Sequence, residues 1–386
     1  MRTVPGLERI MEYGEIFRGK AIGLITNFSG ITSDWKMDNL MFFREQGYHI
    51  ARIFTPEHGF NGAGAGEAID EKSQQREGEA YIVSLYGEKK KPSPKDLQGI
   101  ELLVFDMQDV GLRYYTYLYT MTYAMEAAGE AGIPFVVLDR PNPLGGTVIT
   151  GPRILPSLHS FVGDYELPMR HGLTLGEAAG YYKEYAGLKV DLKVIRMENY
   201  TSRMMYPQTG LLWNIPSPAL PAFENVLCYS GGCLFEACNI SEGRGSMKPF
   251  LMYGAPFVDM DLVYHDLWEQ RTGDNYVFRR RAFIPVSGKY AGEVCYGLEF
   301  HPLSPEEDFL PMALTLMKII CDRYPGQVTF RKEKEDQDTV HLKVLYGNHM
   351  AEEYLEGKTS LKELQRSWKE EGDAFSKSVQ GLRLYS

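Results

Sequence analysis

Continuous apolar runs alternate with amphipathic segments through the first half of the chain, and each run breaks off at polar residues. The main runs are 20–27 (KAIGLITN), 49–57 (HIARIFTPE), 101–111 (ELLVFDMQDVG) and 133–146 (IPFVVLDRPNPLGG), with a shorter one at 81–87 (YIVSLYG). Between them, 34–46 reads as a helix with Asp34 near its start and Gly47 as its stop, and 115–131 carries apolar residues at helical spacing. Strands apolar on both faces and separated by amphipathic helices predict a parallel sheet covered on both sides. The expected fold class is therefore α/β, a Rossmann-like doubly wound domain.

After Gly151 the pattern becomes irregular. Thr174 with Glu177 three residues on predicts a capped helix, 189–197 alternates as a strand, and the proline-rich stretch 211–223 holds Trp213, which reads as an anchor. Beyond residue 253, strands such as FRRRAFIPVSGKY mix with helices at 307–324 and 360–370, which predicts a smaller α+β domain. The division expected is 1–240 and 241–386.

Composition narrows the partner. The chain has 386 residues, 44% hydrophobic and 24% charged, with a formal charge of −10 and a pI near 5.4. That balance argues against nucleic acid or an anionic membrane surface, and no stretch is long enough to span a bilayer. Cys228, Cys233 and Cys238 recur every five residues without the tighter pairing of a zinc site, so buried thiols are expected and no metal. The start, MRTVPGLERIMEY, carries charges where a secretory signal needs an apolar core. If Met1 is the natural start, a cytoplasmic protein is expected; a removed leader would make it a secreted one.

Candidate chemistry lies where the runs end, because ligands of open α/β sheets bind outside the carboxyl ends of the strands. Asn27; Glu57 and His58; Asp106, Gln108 and Asp109; and Asp139, Arg140 and Asn142 all fall there. Any one of them can be a cap or turn former. Glu57 stands out, in IFTPEHGFNGAGAG, where Pro56 closes a strand and Gly59, Gly62, Gly64 and Gly66 leave room for close approach. The glycines at 62, 64 and 66 do not make the dinucleotide fingerprint, and neither a phosphate loop, a G-x-S-x-G elbow nor H-E-x-x-H occurs. Carboxylates with 25 tyrosines suit carbohydrate chemistry without a cofactor. Glycoside hydrolysis needs a proton donor and something to stabilise an oxocarbenium-like centre, a second carboxylate or the substrate's acetamido group. Glu57 fits the donor; Asp109 is the nearest partner in sequence, with Asp139 and Glu242 behind it. Arg113, Arg140 and Arg244 are candidates to pair with a ligand carboxylate.

The blocks PEHGF with the following AGE, SLYG, FDMQDVGLRYYTY, VLDRPNPLGG, HSFVGDYELPMRHGLTLGE, SPALP, CLFEACNISEGRGS and KPF followed by YGAPFVD resemble the exo-acting β-N-acetylmuramidases of glycoside hydrolase family 171, formerly a domain of unknown function. The resemblance implies removal of N-acetylmuramic acid from the non-reducing end of peptidoglycan-derived sugar chains, in a cleft between a Rossmann-like domain and a smaller one. It also implies that Glu57 is the catalytic acid and that the blocks bearing Tyr114, Tyr115 and Arg244 line the site. Two positions depart from the family pattern, Ala219 where SPNIP has Asn and Lys248 where Arg usually precedes PF. A two-lobed α/β protein that captures amino sugars without cleaving them is the alternative expectation.

Overall fold

The computed structural model describes residues 1–62, 80–270, 275–304, 306, 308–333 and 339–386. Gly64, Gly66 and the AGE block after PEHGF lie outside the described residues, as does Glu307.

The apolar runs form one sheet of parallel strands, β1 (Ala21–Thr26), β2 (His49–Thr55), β3 (Tyr81–Ser84), β4 (Leu102–Asp106), β5 (Phe135–Leu138) and β6 (Leu192–Ile195). Their spatial order is β3-β2-β1-β4-β5-β6, and every neighbouring pair is parallel. This is the dinucleotide-fold strand order, reached without the dinucleotide motif. Alternate residues of each strand face opposite layers. Ile22, Leu24, Leu102 and Val104 pack with Leu7, Ile10, Leu40 and Phe43. On the other face Ile25, Phe54, Leu103 and Phe105 pack with residues of the helices Tyr117–Ala131 and Leu175–Tyr185. Each such side chain contributes about 1.5–3 kcal/mol by leaving water.

The helix boundaries differ from the sequence reading for local reasons. The helix expected from residue 34 spans Asn39–Glu45, because Asp38 supplies the cap, its side chain accepting from the Met41 amide at 2.8 Å. Asp34 instead accepts from the Thr32 hydroxyl at 2.8 Å in the preceding turn. Thr174 and Glu177 form the reciprocal cap expected of them. The segment expected to be helical to residue 370 continues as Leu361–Ser378, since Leu364, Trp368 and Phe375 keep one apolar face on the core. The helix expected at 307–324 is Leu310–Arg323.

The second sheet is antiparallel, β7 (Met252–Ala255), β8 (Tyr276–Phe283) and β9 (Cys295–Pro302) in the order β7-β9-β8. One of its faces, through Leu298, Phe300 and Phe278, joins the core that includes the helices Met260–Gln270 and Leu310–Arg323. The chain therefore has the α/β sheet domain and the smaller α+β part that its pattern predicts.

Two buried features tie the halves together. Arg113 donates from Nη1 to the Pro152 and Leu167 carbonyls at 2.6 and 2.8 Å, and from Nη2 to the Leu345 and Tyr346 carbonyls, each at 2.8 Å. The latter two are the last carbonyls of the helix His341–Tyr346, where a cation is favoured. The C-terminal tail also returns to the first sheet, where the Tyr385 hydroxyl donates to Asp139 Oδ2 at 2.7 Å.

Candidate active site

β2 ends at Thr55, and the next residues make a tight turn in which the Gly59 amide donates to the Pro56 carbonyl at 3.1 Å. His58 sits third in that turn with φ +71°. A positive φ at this position is what a type II turn demands, and it costs a non-glycine residue something to hold. Gly62 also has φ +70°, and a Cβ there would lie 2.6 Å from the Phe28 ring, so no other residue fits without displacing it. The turn projects Glu57 over the carboxyl end of the sheet.

Glu57 faces a cavity of about 410 Å³ formed with His58, the successive residues Tyr114 to Tyr117, and, from the later part of the chain, Ser217, Leu220, Arg244 and Phe250. The cavity opens into a wider cleft of about 1010 Å³, which Glu57 and Arg244 share with Ser246, Pro249 and Val286. Tyr86 donates its hydroxyl to Glu57 Oε1 at 2.9 Å and Thr116 donates to Oε2 at 3.0 Å. A carboxyl group has about four lone-pair positions, so these two bonds fix the group and leave further lone pairs unused. Burial and the neighbouring Glu57 charge push the Tyr86 phenol up to about 12, so it stays a neutral donor. Among the described residues that line the cavity and cleft, Glu57 is the one carboxylate.

The tyrosines beside it are held from behind. The Tyr114 hydroxyl donates to the Tyr229 carbonyl at 3.0 Å and to that of Ser230. The Tyr117 hydroxyl donates to the Pro216 carbonyl at 2.7 Å and accepts from Asn27 Nδ2 at 2.8 Å. Tyr115 packs edge-on against Tyr117, ring centroids 4.7 Å apart. Burial drives all three phenols well above their ordinary range.

Arg244 is the cation of the cavity. Its Nη2 donates to Glu236 Oε1 at 2.7 Å, and its Nε lies 3.5 Å from Glu242 Oε1. Burial would lower its pKa, but Glu236, Tyr229 and Glu242 outweigh that and raise it. The guanidinium also lies 4.9 Å from the Phe250 ring centre. These contacts use one side of the fork and leave donors for a ligand.

The sequence candidates divide accordingly. Glu57, His58, Tyr114, Tyr115 and Arg244 line the cavity. Asn27 stands behind it, through Tyr117. Glu242 is buried and ion-paired to Lys289 at 2.8 Å, so it supports Arg244 from outside the cavity. Asp109 is buried, and neither carboxyl oxygen has a hydrogen-bond partner. Burial pushes it up to about 7, opposed by the nearby Val110 and Gly111 amides. Its charge is felt by Tyr115 and Tyr117, so it stands behind the tyrosine wall.

The remaining candidates hold backbone, neighbouring side chains or each other and do not line the cavity. Gln108 bonds the Asp109 and Pro141 carbonyls, each at 2.8 Å. Asn142 bonds the Leu173 carbonyl at 2.9 Å and accepts from the Leu144 amide at 3.0 Å. Asp139 accepts from Thr174, Gly176 and Tyr385 at 2.7, 2.8 and 2.7 Å. Its burial raises it to about 6 against those donors. Arg140 forks onto Asp106, Nε to Oδ1 at 2.6 Å and Nη2 to Oδ2 at 3.0 Å, and Arg113 is spent on the carbonyls already described. Of the three arginines expected to meet a ligand carboxylate, the cavity receives Arg244.

Sequence reasoning about single residues did not single out Tyr86, Thr116, Tyr117, Ser217 or Phe250. All but Phe250 donate or accept at the site: Ser217 Oγ lies 3.2 Å from His58 Nε2. The usable signal was the run of aromatic and hydroxyl residues at 114–117, just before a helix that starts over the cleft. Trp213 is the anchor expected, its Nε1 donating to the Leu220 carbonyl at 3.1 Å. Among the described residues, no group of His, Cys, Asp and Glu gathers as a metal would require, and no helix is long and apolar enough to cross a membrane.

Comparison with known proteins gives concordant results. The family models "Exo-beta-N-acetylmuramidase NamZ, N-terminal" and "C-terminal" match residues 22–224 and 227–385. The peptidoglycan beta-N-acetylmuramidase NamZ of Bacillus subtilis (strain 168) is 36% identical over 387 residues, covering 100% of this chain and 92% of that protein. Two crystal structures of DUF1343 family proteins from Bacteroides fragilis NCTC 9343 superpose with TM-scores of 0.88 and 0.74 at 27% and 29% identity, covering 100% of this chain and 99% of each of theirs.

Proposed function

Given that the chain belongs to the exo-β-N-acetylmuramidase family and is a glycoside hydrolase, we propose that it removes terminal, non-reducing β-linked N-acetylmuramic acid from peptidoglycan-derived oligosaccharides, with Glu57 as the acid and base. The observation that carries this reading is a carboxyl group held by two hydroxyls at the floor of a cavity that also presents Arg244.

In the first step the substrate's own 2-acetamido oxygen bonds to the anomeric carbon as the bond to the leaving oxygen breaks, and that oxygen takes the proton from Glu57. Glu57, now a carboxylate, then takes a proton from the water whose oxygen bonds to the anomeric carbon and displaces the acetamido oxygen. Free sugar and the shortened chain leave, and Glu57 is protonated again. Arg244 meets the lactyl carboxylate that distinguishes muramic acid from glucosamine, by charge-assisted hydrogen bonds. Tyr114, Tyr115 and Tyr117 cover the sugar's faces and exclude water, which strengthens the electrostatics inside. Asp109, behind two of these rings, is a positioning residue. We assign residues 1–240 and 241–386 as the two lobes that meet over the substrate.

Turnover of a chromogenic β-N-acetylmuramide by wild type and by Glu57→Gln tests the assignment, with calorimetric binding of N-acetylmuramic acid alongside. The expected result is binding by both proteins and turnover by the wild type, with kcat, which includes the attack of water that Glu57 assists, lowered about 100-fold or more in the variant. Equal rates would remove Glu57 from the mechanism. Binding by the wild type without turnover would make the protein a receptor for amino sugars.

A further inference from the structure

Outside the cavity, the least ordinary cluster of charges lies on the face of the second sheet turned away from its helices. Glu299, in the central strand β9, has no exposed side-chain surface because cations cover it. Lys248 Nζ bonds its Oε1, Arg279 Nη2 reaches Oε2 at 2.9 Å, Arg281 Nε stands 3.6 Å away and His301 Nε2 3.0 Å away. Strand register explains the convergence, since Arg279 pairs directly with Glu299 and Arg281 with the next residue on the same face, Gly297. Arg280 points the other way and pairs with Asp261. One carboxylate thus faces three permanent cations and an imidazole, in a chain whose net charge is −10.

Structural need does not account for that excess, because one cation neutralises one carboxylate. The side chains of Arg279 and Arg281 remain 60% and 52% exposed, so their remaining donors face solvent. The chain links the patch to the cleft in two places. Lys248 lies between Ser246 and Pro249, which line the cleft, and β8 leads from Arg281 through Phe283 to Val286 at its rim. The Val286 amide bonds the Gly245 carbonyl at 2.8 Å, which fixes that approach. Burial would raise the Glu299 pKa, yet Lys248 and Arg279 hold it below the ordinary value, so it stays charged and cannot release them by protonation near neutral pH.

We propose that this basic face, Lys248, Arg279, Arg281 and His301 around Glu299, binds carboxylates on the part of the substrate beyond the scissile bond. The inference rests on the hydrolase reading and adds a preference for long, anionic chains over disaccharides. In an alternating chain with N-acetylmuramic acid at its end, the next such carboxylate belongs to the second muramic acid, either its lactyl group or a peptide attached there.

The test compares kcat/KM for a peptide-free tetrasaccharide of alternating muramic acid and glucosamine, for the same chain with the second lactyl carboxylate reduced to an alcohol, and for the same chain carrying a peptide there. Wild type should prefer an anionic chain over the reduced one by roughly three- to tenfold, the scale of one or two exposed ion pairs, and salt should erode the preference. Arg279→Gln/Arg281→Gln should bring the ratio close to one. The ratio is taken within each protein, so any general loss cancels. Arg281→Gln alone reads the same ratio should the double variant not fold. A preference confined to the peptide-bearing chain assigns the patch to peptide carboxylates. Equal rates for all three chains in the wild type would overturn the inference and leave the hydrolase intact. Failure to cleave any of them, or a simple muramide, would overturn the underlying reading as well.

Discussion

Replacing Asp109 with Asn should remove a loss of stability that the wild-type fold suffers as pH rises toward neutrality. Burial raises the carboxyl from 3.8 to about 7, and the nearby Val110 and Gly111 amides oppose it only in part. Between those two values the folded chain holds a proton that the unfolded chain has released. Stability therefore falls as pH rises from about 4 through 7, and the full cost is present above 7. Roughly three pKa units at 1.36 kcal/mol each amount to about 4 kcal/mol. An Asn does not titrate, although its two buried donors lack partners and cost about 1–3 kcal/mol at every pH. The variant should be the less stable protein at pH 4.5 and match or exceed wild type at pH 8. Urea midpoints followed by circular dichroism at several pH values measure the difference directly. Asp139 rises in the same sense but is present in both proteins, so its contribution cancels. A difference that stays constant across this range would refute the burial of an unpartnered carboxyl behind Tyr115.

Other substitutions probe separate parts of the account. Arg113→Met strands four buried carbonyls and should destabilise by about 3–5 kcal/mol in the same denaturation assay. Asp106→Asn leaves Arg140 buried without its counter-ion, and a loss of similar size, about 3–5 kcal/mol, is expected from thermal or urea melting. Arg244→Lys keeps the charge but not the fork, so selectivity for a β-N-acetylmuramide over the matching glucosaminide should fall about tenfold or more, chiefly through KM. Tyr86→Phe removes one of the two hydroxyls on Glu57 and should lower kcat with little change in melting temperature.

The layering of the fold was legible in the chain because its strands are buried on both faces, and burial on both faces leaves a continuous apolar run. β1, β2, β4 and β5 fall inside the runs that announce them. The strand-end rule led to the edge of the sheet where the cavity lies, yet most of its candidates do not line that cavity. Asp139 and Asn142 sit at the end of β5 and spend their oxygens on backbone amides and hydroxyls. Short polar side chains do this wherever a strand breaks. Nothing in a one-dimensional pattern says which of these points into open space. Arg113 was misleading for a similar reason, since a cation next to tyrosines reads the same whether its donors meet a ligand or distant carbonyls at residues 345 and 346. Tyr86 and Thr116 escaped single-residue reasoning because their role depends on a contact with a residue 29 or 59 positions away.

The most direct test of proton donation by Glu57 is the dependence of its loss on the leaving group. Values of kcat/KM for wild type and Glu57→Gln, which read the steps up to departure of the leaving group and not the later attack of water that Glu57 also assists, should be compared on a series of aryl β-N-acetylmuramides and on muramyl-glucosamine. A dinitrophenolate departs without help, so the variant should lose less than about tenfold there. A sugar alkoxide needs the proton, and the loss should reach about 10² to 10⁴. The same loss on every leaving group would contradict the assignment of Glu57 as the acid.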